Sequence, residues 1–270
     1  MILMFITNNI EVAQIAERAG VDRIFIDLET VGKQERQGGM DTVQSHHTVE
    51  DVRAMRAALR TSELFVRVNP IYEGSDQEIH AVLAAGAQII MLPYFKTPQQ
   101  VAAFLSYVDG RARTSLLFET PESIECLDEI LALDGIDECY IGLNDLHLGY
   151  HRKFMFELLA DGMVDHIISK FQSAKKPYGF GGVARMGTGI LSAGQILGEH
   201  VRLGSSMVIL SRSFCDVRAM ESTEEIAAVF GAEVPKIRTW LKELDTKDPS
   251  YFTENHRSVQ ETVARIVENK

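Results

Sequence analysis

The sequence predicts an α/β protein, a (β/α)8 TIM barrel followed by extra C-terminal helices. Three observations indicate this fold. Short apolar runs alternate with amphipathic segments through residue 210, several of these segments end at a glycine, and eight strand-and-helix units can be counted. Such alternation is typical of a parallel sheet with right-handed crossovers. Eight units favour a closed barrel over an open, doubly wound sheet.

Each predicted strand is a continuous apolar run, as expected for a strand that is buried on both faces. The runs span residues 2–6, 23–27, 64–68, 88–92, 114–118, 138–142, 177–183 and 205–210. Helices fill the intervals between them. Asn9 can cap the first helix, which ends at Ala19-Gly20, and a later helix is predicted from Pro121 to Leu133.

Beyond the eighth strand the pattern changes to helices alone. Helices are predicted over residues 222–245 and 254–269, with the polar breaker Thr246–Ser250 between them. We therefore divide the chain into a catalytic barrel domain, residues 1–220, and a C-terminal helical extension, residues 221–270. The apolar positions of the extension need a surface to cover, either the barrel or a neighbouring subunit.

Composition argues against a nucleic-acid partner. The 270 residues are 46% hydrophobic and 24% charged, an ordinary globular composition. Lys and Arg number 27 against 38 Asp and Glu, which gives a net charge of -11. Such an acidic balance does not suit a nucleic-acid surface. We expect a small-molecule substrate instead.

Several features favour a cytoplasmic protein. The apolar start, MILMFITNN, is short and has no basic lead, so it predicts a first strand rather than a signal peptide. Cys126, Cys139 and Cys215 are odd in number and lack CxxC spacing, which favours reduced, buried thiols. No apolar run approaches the ~20 residues of a membrane span. We therefore expect no membrane partner.

Two apolar runs end in a lone carboxylate, Glu119 after the fifth predicted strand and Asp145 after the sixth. Active sites of barrels lie at the C-terminal ends of the strands. Neighbouring strands would therefore aim both carboxylates at one point, where a hard divalent cation would satisfy both charges. We expect Glu119 and Asp145 to be metal ligands.

More charges stand at the same predicted rim. The second strand ends in Asp27 and Glu29, and the third ends in Arg67. Such a cluster favours a cation and an anionic ligand, because unpaired buried charges are costly. Alternatively, each of these residues could have a purely structural role. Asp27 could pair with Arg67 to close the barrel, and Asp145 could cap a helix beginning near Leu146.

Five motifs at the predicted strand ends carry a family resemblance. They are Phe25-Ile-Asp-Leu-Glu29, Val66-Arg-Val-Asn-Pro70, Ala84-Ala-Gly-Ala-Gln-Ile-Ile-Met-Leu-Pro93, Phe118-Glu-Thr120 and Ile141-Gly-Leu-Asn-Asp-Leu146. Over residues 1 to 215 the chain resembles the HpcH/HpaI aldolase and citrate lyase family. The resemblance implies a (β/α)8 barrel, a homo-oligomer (trimer or hexamer), and Mg²⁺ or Mn²⁺, with Co²⁺ as a further candidate, on the two carboxylates.

The resemblance also implies an activity. It is that of a class II-type aldolase, a carbon–carbon lyase that cleaves or forms the aldol adduct of a 2-oxo acid through a metal-chelated pyruvate enolate. Arg67 would lie over the substrate oxygen, and backbone amides near Gly142, Leu143 and Asn144 would receive the substrate carboxylate. A divalent cation beside a permanently charged arginine would stabilise the developing enolate.

The proton-transferring residues depart from the family pattern. Thr30 stands where a histidine usually follows the strand-two glutamate, and Leu117 stands where a glutamine is usual. The long segment after strand two has the length of a functional lid. It contains His46 and His47, which could titrate near neutrality. With Asp27 and Arg67 they form the candidate catalytic set, although a histidine here could simply precede the cap of the next helix.

Three other functions stay open. The Asp-Leu-Glu and Val-Arg-Val-Asn-Pro motifs look closer to the citrate lyase β branch, and this resemblance implies an acyl-CoA lyase that does without the missing histidine. The glycine-rich stretch Tyr178–Gly189, with Arg185, Arg202, Ser205 and Ser206 within it or nearby in the sequence, would suit a phosphoenolpyruvate- or phosphoryl-transferring enzyme. Close packing where the barrel closes would explain these glycines as well. The third possibility is a non-catalytic metal-binding relative.

Overall fold

The computed structural model describes residues 1–31, 47–189 and 191–269. Its strands form a closed parallel barrel in sequence order, in which each strand pairs with the next and the eighth with the first. The strands are β1 (Ile2–Ile6), β2 (Arg23–Asp27), β3 (Glu63–Arg67), β4 (Ile89–Leu92), β5 (Arg113–Phe118), β6 (Glu138–Ile141), β7 (Tyr178–Val183) and β8 (Met207–Leu210). The predicted (β/α)8 barrel is confirmed, with strand bounds shifted by at most two residues.

Helices connect the strands. Those of the barrel are α1 (Ile10–Arg18), α2 (Val49–Ala58), α3 (Ser75–Ala84), α4 (Pro98–Val108), α5 (Pro121–Glu125), α6 (Leu127–Leu131), α7 (Leu143–Gly149), α8 (Glu157–Ala160), α9 (Met163–Ser173) and α10 (Ala193–Arg202). Asn9 caps α1 as expected, since its side chain accepts the Val12 N–H. The single helix predicted from Pro121 is wrong: it is divided at Cys126, whose backbone angles leave the helical region.

The barrel interior is closed at its amino-terminal end by a buried ion cluster. Arg23, the first residue of β2, is 1% exposed. It donates to both carboxylate oxygens of Glu138 at 2.8 and 2.9 Å and to Glu63 at 3.1 Å. A buried guanidinium is tolerated only when its charge is paired in this way. Above this cluster, Phe25, Phe65 and other apolar side chains fill the interior.

The C-terminal extension packs on the barrel. Helices α11 (Thr223–Leu244) and α12 (Pro249–Glu268) both contact α10. Glu199 of α10 is fully buried there and accepts the Asn255 amide at 2.9 Å. Helix α12 begins five residues earlier than expected, because the Asp248 side chain caps it. The domain boundary at residue 220 and the homo-oligomer stay predictions.

Two further expectations concern thiols and membranes. Cys139 and Cys215 are buried free thiols as expected, whereas Cys126 is only half-buried. Burial raises the pKa of the Cys139 thiol. In the described part of the chain, no helix combines the length and the apolar character that a membrane crossing requires.

Gly179 of β7 provides a test of how tightly the barrel closes. A Cβ at this position would lie 2.3 Å from the Met207 carbonyl oxygen on β8. Because that neighbour is backbone, we expect Gly179→Ala to lower the free energy of unfolding by about 2 kcal/mol. Gly231→Ala on α11 is the control, since nothing lies within 4 Å of its added Cβ. Equal urea-unfolding midpoints for the two variants would contradict the packing argument.

Candidate functional site

A cavity of about 170 Å³ opens where the barrel strands end. Its wall contains most of the residues predicted for the site, namely Arg67, Glu119, Gly142, Leu143, Asn144 and Asp145. The rest of the wall is largely apolar and includes Ile6, Phe25, Met91, Leu117, Met155 and Ile209. Among the described residues, the structure therefore brings one arginine and two carboxylates to a small, largely apolar space.

Arg67 is held by a bidentate ion pair. It is the last residue of β3 and lies opposite Asp27 in the register of β2 and β3. Its Nε and Nη2 donate to the two Asp27 oxygens at 2.9 and 2.8 Å, and Nη2 lies 3.3 Å from Glu29. Burial opposes the charge, but the carboxylates of Asp27, Glu29 and Glu119 outweigh burial and raise the pKa of Arg67 well above its usual value. The guanidinium is therefore charged and fixed in direction.

Asp27 is the acid of this ion pair. Both of its oxygens accept from Arg67, and one also accepts the Glu29 N–H at 3.2 Å. An acid bound in this way is suited to orienting Arg67, as the structural alternative supposed. Its place in the catalytic set stays a prediction.

Glu119 lies between a strand and a helix cap. It follows β5 directly, and Thr120 then caps α5 by accepting the Ser123 N–H. One Glu119 oxygen, Oε1, accepts the Tyr94 N–H at 3.1 Å. The other, Oε2, would lie 2.6 Å from a Cβ at Gly142, so only glycine leaves room for this carboxylate. The side chain is 3% exposed.

Asp145 stands in the first turn of α7 and lines the same cavity. The alternative that it caps a helix beginning near Leu146 is wrong, because α7 begins at Leu143. The Gly142 N–H donates to the Phe118 carbonyl at 3.0 Å. That amide is therefore committed to the sheet rather than to a substrate. The amides beyond it, at Leu143 and Asn144, lie in the first helical turn, which lacks intrahelical acceptors.

The donor set suits a hard cation. Among the described residues, no group of three or more His, Cys, Asp or Glu side chains could hold a metal ion. Two carboxylates, Glu119 and Asp145, therefore form the candidate set. Mg²⁺ and Mn²⁺ fit such a set, because a hard cation takes oxygen ligands and readily keeps several from water or substrate.

The histidines do not line the cavity within the described residues. His46 lies outside the described residues. Nδ1 of His47 accepts the Asp27 N–H at 2.9 Å, so a neutral His47 carries its proton on Nε2. His147 is buried, with Nδ1 3.2 Å from the Leu143 carbonyl oxygen. The expected cap of the next helix is present, since Thr48 forms a capping box.

Two contacts of the site escaped sequence reasoning, although Asn69 itself stands at the predicted end of the third strand. The first is the Tyr94 backbone, which donates to Glu119 although nothing in the local pattern marks a turn aimed at that residue. The second is Asn69, whose side-chain oxygen accepts the N–H groups of Thr30 and Val31 at 2.8 and 2.9 Å. Thr30, which stands in the place of the usual histidine, is thus anchored to the β3 end. An asparagine at a predicted strand end was the available signal.

The arginines and serines proposed to bind phosphate do not line the cavity. Arg202 stands in the last turn of α10 and donates to Asp165 at 2.6 Å. Ser205 and Ser206 precede β8. Helix ends and strand starts lie at the end of a (β/α)8 barrel opposite the site. The expectation that Arg202, Ser205 and Ser206 join the glycine-rich segment at the site is wrong. Arg185 lies in that segment just beyond β7, and its Nε donates to the Phe214 carbonyl at 2.6 Å.

This fold and site define a barrel enzyme with an acidic site at the C-terminal ends of its strands. The family profile of the HpcH/HpaI aldolase/citrate lyase matches residues 1–199. The chain therefore belongs to the HpcH/HpaI aldolase/citrate lyase family, which confirms the resemblance and an enzyme of the aldolase/citrate lyase type. No curated protein sequence matches the chain.

Solved structures share the fold. An HpcH/HpaI aldolase from Desulfitobacterium hafniense DCB-2 is 15% identical, with a TM-score of 0.61 over 78% of this chain and 85% of that chain. An HpcH/HpaI aldolase/citrate lyase family protein from Burkholderia cenocepacia J2315 is 16% identical, with a TM-score of 0.61 over 91% and 95%. The citrate synthase SbnG is 17% identical, with a TM-score of 0.57 over 78% and 86%. At these identities the likeness concerns the fold alone.

The largely buried ion pair between Arg67 and Asp27 predicts that removing its acid costs more stability than removing the acid of an exposed ion pair. Asp27→Asn leaves the Arg67 charge poorly compensated, so we expect the free energy of unfolding to fall by about 3 kcal/mol. Asp161→Asn is the control, because Asp161 pairs with the exposed Arg152 and its loss should cost less than about 1 kcal/mol. Urea unfolding measures both. Similar small losses would contradict a buried, tightly held pair.

Proposed function

We propose that the chain is a divalent-metal-dependent carbon–carbon lyase that cleaves or forms the aldol adduct of a small 2-oxo acid. The convergence of Arg67, Glu119 and Asp145 on one cavity of about 170 Å³ carries this proposal. Membership of the HpcH/HpaI aldolase/citrate lyase family supports the same type of reaction.

Glu119 and Asp145 would hold the cation. Mg²⁺, Mn²⁺ or Co²⁺ would supply a Lewis acid for the oxygens of the bound 2-oxo acid. Glu119 directly follows β5, and Asp145 lies in the first turn of the helix after the adjacent strand β6, so their spacing depends on the barrel rather than on a flexible loop. Gly142 assists by leaving the space that Glu119 occupies.

Arg67 would stabilise negative charge on the reacting substrate oxygen. Breaking the carbon–carbon bond leaves an electron pair on the oxo acid, which becomes an enolate. A cation that is already oriented stabilises that charge without reorganising at the moment of reaction. Asp27 provides the orientation through its two hydrogen bonds of 2.9 and 2.8 Å. The amides of Leu143 and Asn144 are the proposed donors to the substrate carboxylate.

Proton transfer is assigned to the segment that follows β2. Among the described residues His47 is the proposed proton carrier. Its Nδ1 accepts the Asp27 N–H at the end of β2, which leaves Nε2 to carry the proton of the neutral ring. His46, its neighbour in the chain, remains the second candidate. Thr30 bonds to Asn69 and cannot replace a histidine as a base near neutral pH.

The apolar wall of the cavity favours a small aldehyde of low polarity as the second substrate. Leu117, Met155 and Ile209 all line the cavity. A hydroxyl placed against them would lose its hydrogen bonds to water without gaining others, which costs free energy. We therefore propose short alkyl aldehydes, rather than hydroxylated ones, as partners of the 2-oxo acid.

The acyl-CoA and phosphoryl-transfer alternatives make different demands on the site. The phosphoryl alternative loses support because Arg202, Ser205 and Ser206 stand at the other end of the barrel. An acyl-CoA lyase would use the same carboxylates, so ligand competition must decide it. A non-catalytic relative would bind metal without turning over any substrate.

Pyruvate release from a panel of 4-hydroxy-2-oxo acids with Mg²⁺, Mn²⁺ or Co²⁺ tests the proposal. We expect Glu119→Gln and Asp145→Asn each to lower kcat/KM by about a hundredfold or more, because each removes one of only two anionic ligands. Mn²⁺ affinity, measured by calorimetry, should fall in parallel. Glu125→Gln and Asp134→Asn are the controls, since both carboxylates are exposed and outside the cavity.

Unchanged turnover in both site variants would contradict the metal proposal. Competition by CoA esters, without pyruvate release, would favour the acyl-CoA lyase. Tight Mn²⁺ binding with no turnover of any substrate would favour the non-catalytic relative.

Substitutions of Leu117 test the proposal that the second substrate is a short alkyl aldehyde. Propanal and glycolaldehyde have the same number of heavy atoms but differ in a methyl or a hydroxyl group. We expect kcat/KM for condensation with pyruvate to favour propanal, and Leu117→Gln to reduce that preference by about tenfold by offering a hydrogen-bond partner. Leu117→Met, which keeps the wall apolar, should retain the preference. Identical ratios in the Gln and Met variants would remove support for the apolar partner.

A further inference from the structure

Tyr94 has an unusual backbone conformation for its place in the fold. Its φ is +48°, in the left-handed region. Among the described residues, the other non-glycine residues with positive φ are Asp109, His151 and Lys175. Those three stand at or just after the ends of α4, α7 and α9, where left-handed residues are common. Tyr94 instead follows β4 and Pro93, so no helix end explains it.

The left-handed conformation of Tyr94 determines where its backbone N–H points. It directs the Tyr94 N–H to Oε1 of Glu119 at 3.1 Å. A non-glycine residue in this conformation is strained, because its Cβ comes too close to the backbone. Such strain persists only where the surroundings hold it, and it is concentrated at functional sites. The recipient of the bond is a carboxylate in the wall of the cavity.

Other contacts hold the turn in place. The Thr120 hydroxyl donates to the Phe95 carbonyl at 2.7 Å. Lys96 Nζ donates to Glu122 at 2.8 Å and lies 5.6 Å from the centroid of the Tyr94 ring. The turn after β4 is thus joined, at Tyr94 and at the two residues that follow it, to the segment that carries Glu119.

The bond also limits the rotation of the carboxylate. With Oε1 bound to the Tyr94 N–H, Oε2 stands on the Gly142 side of the cavity. A carboxylate free to rotate would have to be ordered when a cation binds, at a cost in conformational entropy. A carboxylate that is already oriented avoids that cost.

We propose that Tyr94 is a positioning residue whose left-handed backbone holds the Glu119 carboxylate in the orientation that binds a divalent cation. This inference rests on the proposed function, because it takes Glu119 as a ligand. It assigns the role to the backbone of Tyr94, with the ring and Lys96 supporting the turn. The variants that test it therefore differ in backbone preference.

Tyr94→Gly, Tyr94→Ala and Tyr94→Val all remove the ring but differ in their tolerance of positive φ, which decreases in that order. We expect Mn²⁺ affinity within about twofold of the parent protein for Gly, and about tenfold weaker for Val, with Ala between them. Calorimetry with Mn²⁺ measures the affinities on the full chain. Thermal unfolding in EDTA identifies any variant that is not folded, and the Gly and Ala variants carry the comparison if Val is not.

Equal affinities in all the folded variants would overturn the inference, because the backbone preference would then have no effect on the cation. Parent protein that binds no Mn²⁺ would overturn the proposed metal site together with the inference. Parent protein that binds Mn²⁺ through Glu119, with equal loss in the Gly and Ala variants, would overturn the inference alone.

Hydrogen exchange of the Tyr94 amide gives a second readout that requires neither metal nor turnover. We expect this amide to exchange slowly in the parent protein and at least about tenfold faster in Glu119→Ala, which removes its acceptor. An unchanged exchange rate would mean that the bond is not formed in solution, and would overturn the inference.

Discussion

Parallel closure of the barrel is the constraint on which the candidate site depends. Because β1 pairs with β8 and every strand points the same way, all the last residues of the strands meet at one end. Register then places Asp27 opposite Arg67, where their side chains form a bidentate pair. Glu119 and Asp145 arrive at the same end from β5 and β6. The cluster of charges therefore follows from strand pairing.

Each end of the barrel holds an arginine in an ion pair, and the surroundings of the two arginines differ. Arg23 is 1% exposed and is bonded to Glu138 and Glu63, so its cluster closes the amino-terminal end. Arg67 is paired with Asp27 but also forms part of the cavity wall. Both clusters obey the same rule, that a buried charge needs a partner. The second presents its cation to a ligand-sized space.

Sequence reasoning failed where it took closeness along the chain for closeness in space. Arg202, Ser205 and Ser206 are near the glycine-rich strand in sequence, yet they belong to a helix end and a strand start. In a (β/α)8 barrel these lie at the end opposite the last residues of the strands. The C-terminal helices illustrate the same limit. Their apolar faces were evident, but the buried Glu199 and its bond to Asn255 join residues 56 positions apart.

By itself the sequence determined the barrel, the strand bounds to within two residues, and the presence of Arg67, Glu119 and Asp145 at strand ends. These follow from apolar runs and helix stops, which are local properties of the chain. The tertiary structure alone decided that Asp27 is bonded to Arg67, that Gly142 leaves space for Glu119, and that a left-handed Tyr94 holds one oxygen of that carboxylate. Each depends on a contact between separate strands or loops, and no local pattern records such contacts.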